Sequence, residues 1–289
     1  MLTIRILETV TEMEQHEALQ RLVWPGSETD ILPVHLLITL AHNGGLILGA
    51  YEGDEMVGLL VGFPGLYEVP DGPRPKHCSH ELGVHPRARD AGIGFALKRA
   101  QWQFVRRQGL DRITWTYDPL LSRNGHLNIA RLGAVCNTYL REVYGEMRDG
   151  LNAGLASDRF QVDWWVNTRR VERRLSRTPR PQLTLADLEA ARAQVLYLAR
   201  PSGTWIAPPA NFSNPEQALL LAEIPSDFSA LKTADFELAR AWRGFSREMF
   251  ETCFSAGYLV TDFVYEAGGD GPPRSFYVLT HGESSLSTL

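Results

Sequence analysis

The protein has 289 residues, 44% of them hydrophobic and 22% charged, which is typical of a soluble folded protein with one large or two small domains. The net charge is −5, from 29 Lys and Arg against 34 Asp and Glu, so we expect no nucleic acid partner. The N-terminus lacks a secretory signal pattern, no long apolar run predicts a membrane span, and three widely spaced cysteines form no CxxC pair. We therefore expect a cytoplasmic protein without a membrane partner.

The first part of the chain is predicted to alternate between strands and helices. Apolar spacing and turn residues predict these elements in order: strand 3–7, helices 11–23 and 33–41, a hairpin of strands 46–51 and 56–63, strand 77–84, a helix from about 93 to 108, and strand 112–117. Residues 64–75 are rich in proline and glycine and are predicted to be an exposed loop that could border a substrate site.

The second part of the chain is predicted to add a further α+β region. A helix over 122–139, interrupted at Gly133, and a strand at 159–166 complete a first domain of residues 1–166. An arginine-rich linker with a solvated face follows at 167–182. The region 183–289 is predicted to hold helix 185–199, strand 218–224, helix 236–256, and strands 258–265 and 275–279. Its order of strand, long helix and strand resembles that of the first domain, so a degenerate repeat is a hypothesis, with chance order as the alternative.

The run from Ser79 to Leu97, SHELGVHPRARDAGIGFAL, carries the chemistry of the chain. A strand here passes through a short loop into a helix, and the backbone N–H groups at such a helix N-terminus attract anions. Gly92 and Gly94 allow a ligand to approach the backbone. Arg87 and Arg89 can add charge-assisted contacts to a phosphate.

Within this run, Arg89-x-x-Gly92-x-Gly94 after Val84-x-Pro86 resembles motif A of the GNAT superfamily of acetyl-CoA-dependent N-acyltransferases, and the predicted element order over 1–166 is similar too. The resemblance implies an α/β fold with a mixed central sheet flanked by helices, and acetyl-CoA or another acyl-CoA as co-substrate. It implies that one strand pairs with the pantetheine arm, that the loop binds the pyrophosphate, and that the thioester lies between two splayed strands. The cofactor-binding residues implied in this strand and loop are Leu82, Gly83, Val84, Arg89, Asp90, Ala91, Gly92, Ile93 and Gly94.

Acyl transfer to an amine needs a base, because a protonated amine has no lone pair to attack the thioester. Glu81 is the first candidate, since many family members carry a glutamate at the matching strand position and partial burial would raise its pKa. The alternative for Glu81 is a strand-end carboxylate that pairs with an arginine. His80 is the second candidate. Adjacent strand residues face opposite ways, so we expect only one of the two side chains to point at the site.

Two features depart from the family pattern. Asp90 and Ala91 stand where glycine and a basic residue are usual; Asp90 tolerates a left-handed backbone, but we expect its charge to weaken coenzyme A binding. Ile129 stands where many members have a tyrosine that acts as general acid. Asn124 and Asn128, one helical turn apart, could bind pantetheine or the thiol instead, although Asn124 could also simply cap its helix. Possible substitutes for the missing hydroxyl, each also explicable as a packing aromatic, are Tyr117, Tyr139 and Tyr144.

The sequence thus predicts an acyltransferase that moves an acetyl or other acyl group from acyl-CoA directly to a primary amine of a small molecule. The alternative is a non-catalytic acyl-CoA sensor or protein-interaction module, which Asp90 and Ile129 favour. A coenzyme-A-independent aminoacyl transferase is a weaker alternative. No metal is expected, because strand alternation separates the possible zinc ligands and no second cluster completes a tetrahedral set. These possible ligands are His77, Cys78, His80 and His85.

Overall fold

The computed structural model describes residues 1–26, 28–145, 154–176, 178, 181–268 and 272–281. The chain forms two compact units, one of residues 1–115 and 165–167, the other of residues 116–164 and 168–289. It therefore passes from one unit to the other after residues 115, 164 and 167, whereas the sequence predicts a single domain boundary after residue 166.

The first unit is a mixed sheet flanked by helices, which confirms the predicted fold class. Its elements are β1 (Leu2–Ile6), α1 (Val10–Val23), α2 (Val34–His42), β2 (Leu46–Glu52), β3 (Glu55–Tyr67), β4 (Arg74–Val84), α3 (Ile93–Arg107) and β5 (Arg112–Tyr117), whose last two residues belong to the second unit. The strand order is β1-β2-β3-β4-β5. All neighbours pair antiparallel except β4 and β5, which are parallel.

Alternating side chains along the hairpin divide the core of this unit into two layers. Ile47, Leu59 and Val61 pack with α1 and α2 on one face of the sheet. Leu48 and Leu60 pack with α3 on the other face. Consequently β4, the next strand of the sheet, has α1 on one side and α3 on the other.

The extent of the predicted loop at 64–75 is wrong. β3 continues to Tyr67 and β4 begins at Arg74, with Pro64 opposite His77 and Tyr67 opposite Arg74. A proline removes one backbone donor, but near a strand end it leaves the register of its neighbours intact. The connection therefore comprises only residues 68–73.

The second unit is also built of helices and strands. Its elements are α4 (Ser122–Gly125), a π-helical segment (His126–Arg131), β6 (Val135–Leu140), β7 (Arg159–Trp165), α5 (Arg169–Leu175), α6 (Leu185–Ala190), β8 (Gln194–Val195), β9 (Arg200–Ser202), β10 (Trp205–Ala207), β11 (Leu219–Ile224), α7 (Phe228–Ala234), α8 (Phe236–Ser255), β12 (Leu259–Glu266) and β13 (Arg274–Thr280). The strand order is β7-β6-β12-β13-β11-β8, with β9 and β10 as a separate pair. Here β13 lies between β11 and β12, whereas β4 and β5 pair directly, so the suspected repeat has the element order of the first unit but not its strand pairing.

Two predicted helices of the second unit are too long. The helix predicted at 122–139 ends at Arg131, because Gly133 adopts φ +78° and Val135–Leu140, rich in β-branched and aromatic residues, forms β6. The helix predicted at 185–199 ends at Ala190 and is followed by β8.

The predicted linker at 167–182 contains α5, and its arginines are not all solvated. Arg170 donates to the carbonyls of Gly133 and Thr261. Arg174 is buried, donates to the carbonyl of Ala130 and forms an ion pair with Asp262 at 2.6 Å. The last carbonyls of a helical segment have no intrahelical N–H donor, and here Arg174 and Arg170 donate to the carbonyls of Ala130 and Gly133.

We predict that Gly62→Ala destabilises the protein by about 2 kcal/mol, because the new Cβ would overpack the interior. That Cβ would lie 2.1 Å from Nε2 of buried His77 and 2.9 Å from the carbonyl oxygen of Cys78. Thermal unfolding measures the effect. The control is Gly244→Ala on α8, where a Cβ meets nothing within 4 Å. This control should be neutral or slightly stabilising, and equal losses for the two variants would contradict the prediction.

Candidate functional site

A β-bulge in β4 controls the direction of the candidate catalytic side chains. Val61 lies opposite Glu81 and Gly62 opposite Ser79, so His80 is an extra residue in β4. Before the bulge, the Ser79 side chain faces α3. After it, Leu82 packs on the α3 side again. Glu81 therefore points to the opposite, α1 side of the sheet.

The bulge also brings the two candidate bases together. Nε2 of His80 lies 3.8 Å from Oε1 of Glu81. Strict alternation fails where a strand contains an extra residue, so these neighbouring side chains lie close together, and which of them acts at the site stays a prediction. Among the described residues, no arginine forms an ion pair with Glu81. The alternative in which Glu81 pairs with an arginine is therefore not observed.

The carboxyl of Glu81 is largely withdrawn from water. Its side chain is 12% exposed, and Oε2 has no hydrogen-bond partner among the described residues. Burial disfavours the charged form and raises the pKa of Glu81 to about 7. His80 is half-exposed, and burial of its ring lowers its pKa. Glu81 can therefore accept a proton near neutral pH, with a more exposed imidazole beside it.

β4 and β5 separate next to the bulge. Their recorded parallel pairs are His77 with Ile113 and Cys78 with Thr114. From Ser79 to Val84, β4 continues its pairing with β3 on its other edge. The pairing with β5 thus ends before residues 79–84. The backbone groups on the edge of these residues that faces away from β3 can bind an extended ligand. The predicted residues Leu82, Gly83 and Val84 lie on this edge.

The predicted anion loop leads into the N-terminus of α3 through two left-handed residues. Asp90 adopts φ +70° and Gly92 adopts φ +77°. Asp90 thus takes the left-handed backbone that the sequence allows it. Gly92 is the N-cap of α3 and provides no side-chain hydrogen bond to the first turn. Arg89, Asp90, Ala91 and Gly92 are exposed, while Ile93 is buried and anchors the start of the helix.

The two arginines at the loop have different surroundings. Arg87 forms an ion pair with Glu55 at 2.5 Å, and both side chains are about half exposed. Such an exposed pair is weak enough for a phosphate to compete with it. Arg89 is exposed at the loop.

A buried lysine, which no sequence motif marks, joins α3 to the bulged strand. Nζ of Lys98 donates to Oγ of Ser79 at 2.8 Å and to Oε1 of Gln101 at 3.1 Å, and lies 3.6 Å from the ring centre of Trp115. Complete burial lowers the pKa of Lys98 well below its usual value. The rarity of lysine is the one sequence feature that sets Lys98 apart: the chain has 29 basic residues, and only three of them are lysines. Lys98 contributes to the site by holding Ser79, directly before the bulge, against α3.

The remaining predicted residues belong to the second unit. Asn128 is buried in the π-helical segment, and Ile129 is fully buried beside it. Asn124 does not cap α4, because the N-cap residue is Leu121. The three tyrosines considered as substitutes for the general acid all have hydrogen-bond partners: Tyr117 with Tyr277, Tyr139 with Asp158, and Tyr144 with Thr116.

The described residues contain neither a candidate metal-binding group nor a candidate membrane span. Among them, no group of three or more His, Cys, Asp or Glu could hold a metal ion. His77, one of the possible ligands, is buried, and its ring lies 6.5 Å from that of Phe104. Within the same described ranges, no helix is both long and apolar enough to cross a bilayer.

Comparison with known proteins identifies one family. Residues 9–124 match the model of the acetyltransferase (GNAT) family. A search of curated proteins finds no match.

Solved structures of acetyltransferases resemble parts of the chain. A GNAT-family acetyltransferase from Streptococcus pneumoniae has 16% identity and a TM-score of 0.43, covering 56% of this chain and 98% of its own. The ribosomal-protein-S18-alanine N-acetyltransferase of Escherichia coli has 16% identity and a TM-score of 0.40, covering 58% and 96%. An aminoglycoside acetyltransferase from an uncultured soil metagenomic sample has 23% identity and a TM-score of 0.34, covering 39% and 74%.

The burial of Glu81 predicts a pH-dependent cost in stability. The unfolded chain releases this proton near its ordinary pKa, whereas the folded chain retains it until about pH 7. Stability is thus lost as pH rises from about 4.5 to 7, by up to about 3 kcal/mol, and changes little above that range. Glu81→Gln cannot ionise and should lack this loss. Urea unfolding of both proteins at pH 4 and pH 8 measures it; an equal difference at both pH values would show that Glu81 titrates normally.

Proposed function

Because residues 9–124 match the model of the acetyltransferase (GNAT) family, we propose that the protein transfers the acetyl group of acetyl-CoA to a primary amine of a small molecule, with Glu81 as general base. The observation that carries this proposal is the buried Glu81 carboxyl on the bulge of β4, where β4 separates from β5. Acetyl-CoA is the acyl donor of this family.

The proposed reaction is a direct transfer. Ionised Glu81 takes a proton from the acceptor ammonium, and the free amine attacks the thioester carbonyl carbon. The C–N bond forms and the C–S bond breaks, and the proton that the attacking nitrogen then releases neutralises the departing thiolate of coenzyme A. His80 is half-exposed and its Nε2 lies 3.8 Å from Glu81, so in this proposal a bridging water carries the proton from Glu81 to His80 and on to solvent. A carboxyl with a pKa of about 7 is matched to this task near neutral pH.

The loop and the edge of β4 would hold the donor. In this proposal the N–H groups at the start of α3 bind the pyrophosphate, and the exposed Arg89 adds a charged contact. The backbone of 82–84 binds the pantetheine arm. Asp90 is exposed, so its carboxylate can remain in water next to the phosphates.

We predict that Glu81→Gln lowers kcat/KM for amine acetylation by about 10²- to 10⁴-fold, because glutamine cannot accept the proton. Wild-type kcat/KM should rise with pH to a plateau above about pH 7, and the residual activity of the variant should lack this step. Release of the coenzyme A thiol measures turnover. Tight binding of acetyl-CoA by the wild type without turnover on any amine would instead favour the acyl-CoA sensor.

We predict that Gly92→Glu weakens acetyl-CoA binding at least tenfold, because it places a carboxylate at the pyrophosphate site. Gly109→Glu is the matched control at the other end of α3. Both glycines have a positive φ, +77° and +76°, and at both a Cβ would meet nothing within 4 Å. The two variants should therefore lose similar stability, while calorimetric titration shows weaker binding for Gly92→Glu alone. Equal affinities for acetyl-CoA would place the pyrophosphate elsewhere.

A further inference from the structure

An exposed tryptophan lies on the same side of β4 as Glu81. Trp24 follows the last residue of α1, and its side chain is 39% exposed. Its ring rests on Gly83: a Cβ built on Gly83 would lie 3.1 Å from Cη2 of Trp24 and 3.1 Å from Cγ1 of Val23. The absence of a side chain at Gly83 therefore allows Cη2 of Trp24 to approach the strand closely.

The register of β4 relates this ring to the carboxyl. Pairing with β3 is regular from Glu81 onwards, with Val61 opposite Glu81 and Leu59 opposite Gly83. Residues two apart in a strand share a face and lie about 7 Å from each other. The apolar surface of Trp24 thus begins about 7 Å along the strand from Glu81, whose carboxyl would receive the amine proton.

Two carboxylates that flank Trp24 in the chain are already paired with a positive charge. Glu17 and Glu28, which precede and follow Trp24 in the chain, both form ion pairs with Arg21, at 2.8 and 3.0 Å. Oε2 of Glu17 also accepts a hydrogen bond from the backbone of Val34. Both carboxylates already have a positive partner, so a second cation would gain less from them.

We propose that Trp24 is a specificity-determining residue that contacts the acceptor, and that the acceptor is a primary amine with a flat apolar or aromatic body on a short alkyl spacer. This inference rests on the proposed function, since it takes Glu81 as the position of the amine. The amine lies at Glu81 and the flat body stacks on the exposed face of the Trp24 ring. A polycationic amine would leave this apolar surface uncovered.

The test compares phenylethylamine, ethylamine and spermidine as acceptors for the whole protein. Trp24→Ala should raise KM for phenylethylamine about tenfold or more. Its effect on KM for ethylamine should be much smaller, because ethylamine does not stack on the ring. Trp24→Phe should retain most of the affinity. The matched control is Leu22→Ala, which removes another exposed apolar side chain of α1, 55% exposed, and should change none of these constants.

The inference is overturned if spermidine is the better acceptor of the wild type, or if Trp24→Ala and Leu22→Ala give the same KM for phenylethylamine. Calorimetric binding of phenylethylamine to the protein with coenzyme A separates this inference from the proposed reaction. Binding that Trp24→Ala weakens tenfold, without any turnover, supports the acceptor site and refutes the catalysis. Acetylation of phenylethylamine that does not depend on Trp24 supports the catalysis and refutes the acceptor site. If Trp24→Ala fails to unfold cooperatively, Trp24→Leu replaces it in both measurements.

Discussion

The candidate site depends on one extra residue in β4. If β4 paired with β3 without the bulge, Ser79 and Glu81 would face the same side of the sheet. The bulge instead lets Ser79 reach Lys98 in the interior and turns Glu81 toward the α1 side. A single local irregularity therefore determines which polar group is held in the core and which one can meet a ligand.

Several contacts hold this irregularity in place. Gly62 lies opposite Ser79, and the ring of His77 occupies the space that any side chain at position 62 would need. On the other side of Ser79, Lys98 binds its hydroxyl from α3. Because α3 also begins at the loop with Gly92, the same helix positions the loop and supports the strand that carries Glu81. The two parts of the candidate site are thus connected through one buried hydrogen bond.

Exclusion of water shifts the pKa values of Glu81 and Lys98 in opposite directions. Burial raises the pKa of Glu81 to about 7, and it lowers the pKa of Lys98. Both shifts reflect an energetic cost of holding a charge away from water. For Glu81 that cost coincides with a useful property, since a carboxyl that titrates near neutral pH can both take and release a proton. Lys98 donates two hydrogen bonds in the interior and lies against the face of Trp115, but its pKa remains well below the usual value.

Sequence patterns determined the features of this protein that depend on residues close together in the chain. The apolar runs of the β2–β3 hairpin, the apolar face of α3 and the tolerance of Asp90 for a left-handed backbone could all be predicted, because each follows from local geometry. The motif around Gly92 was sufficient to indicate the family. The same local reasoning extended a helix over β6 and assigned a linker to α5, since strand pairing and buried carbonyl partners for Arg174 involve distant residues.

Only the tertiary structure decided what the candidate site can do. The bulge at His80 arises from pairing with β3, a strand whose sequence does not show where an extra residue will be accommodated. The pKa of Glu81, the burial of Lys98 and the position of Trp24 on Gly83 depend on which groups exclude water from them. The sequence by itself therefore determined the type of domain and its loop, while the folded chain decided which side chains share a face and which titrate near neutral pH, because desolvation and strand register are properties of neighbours in space.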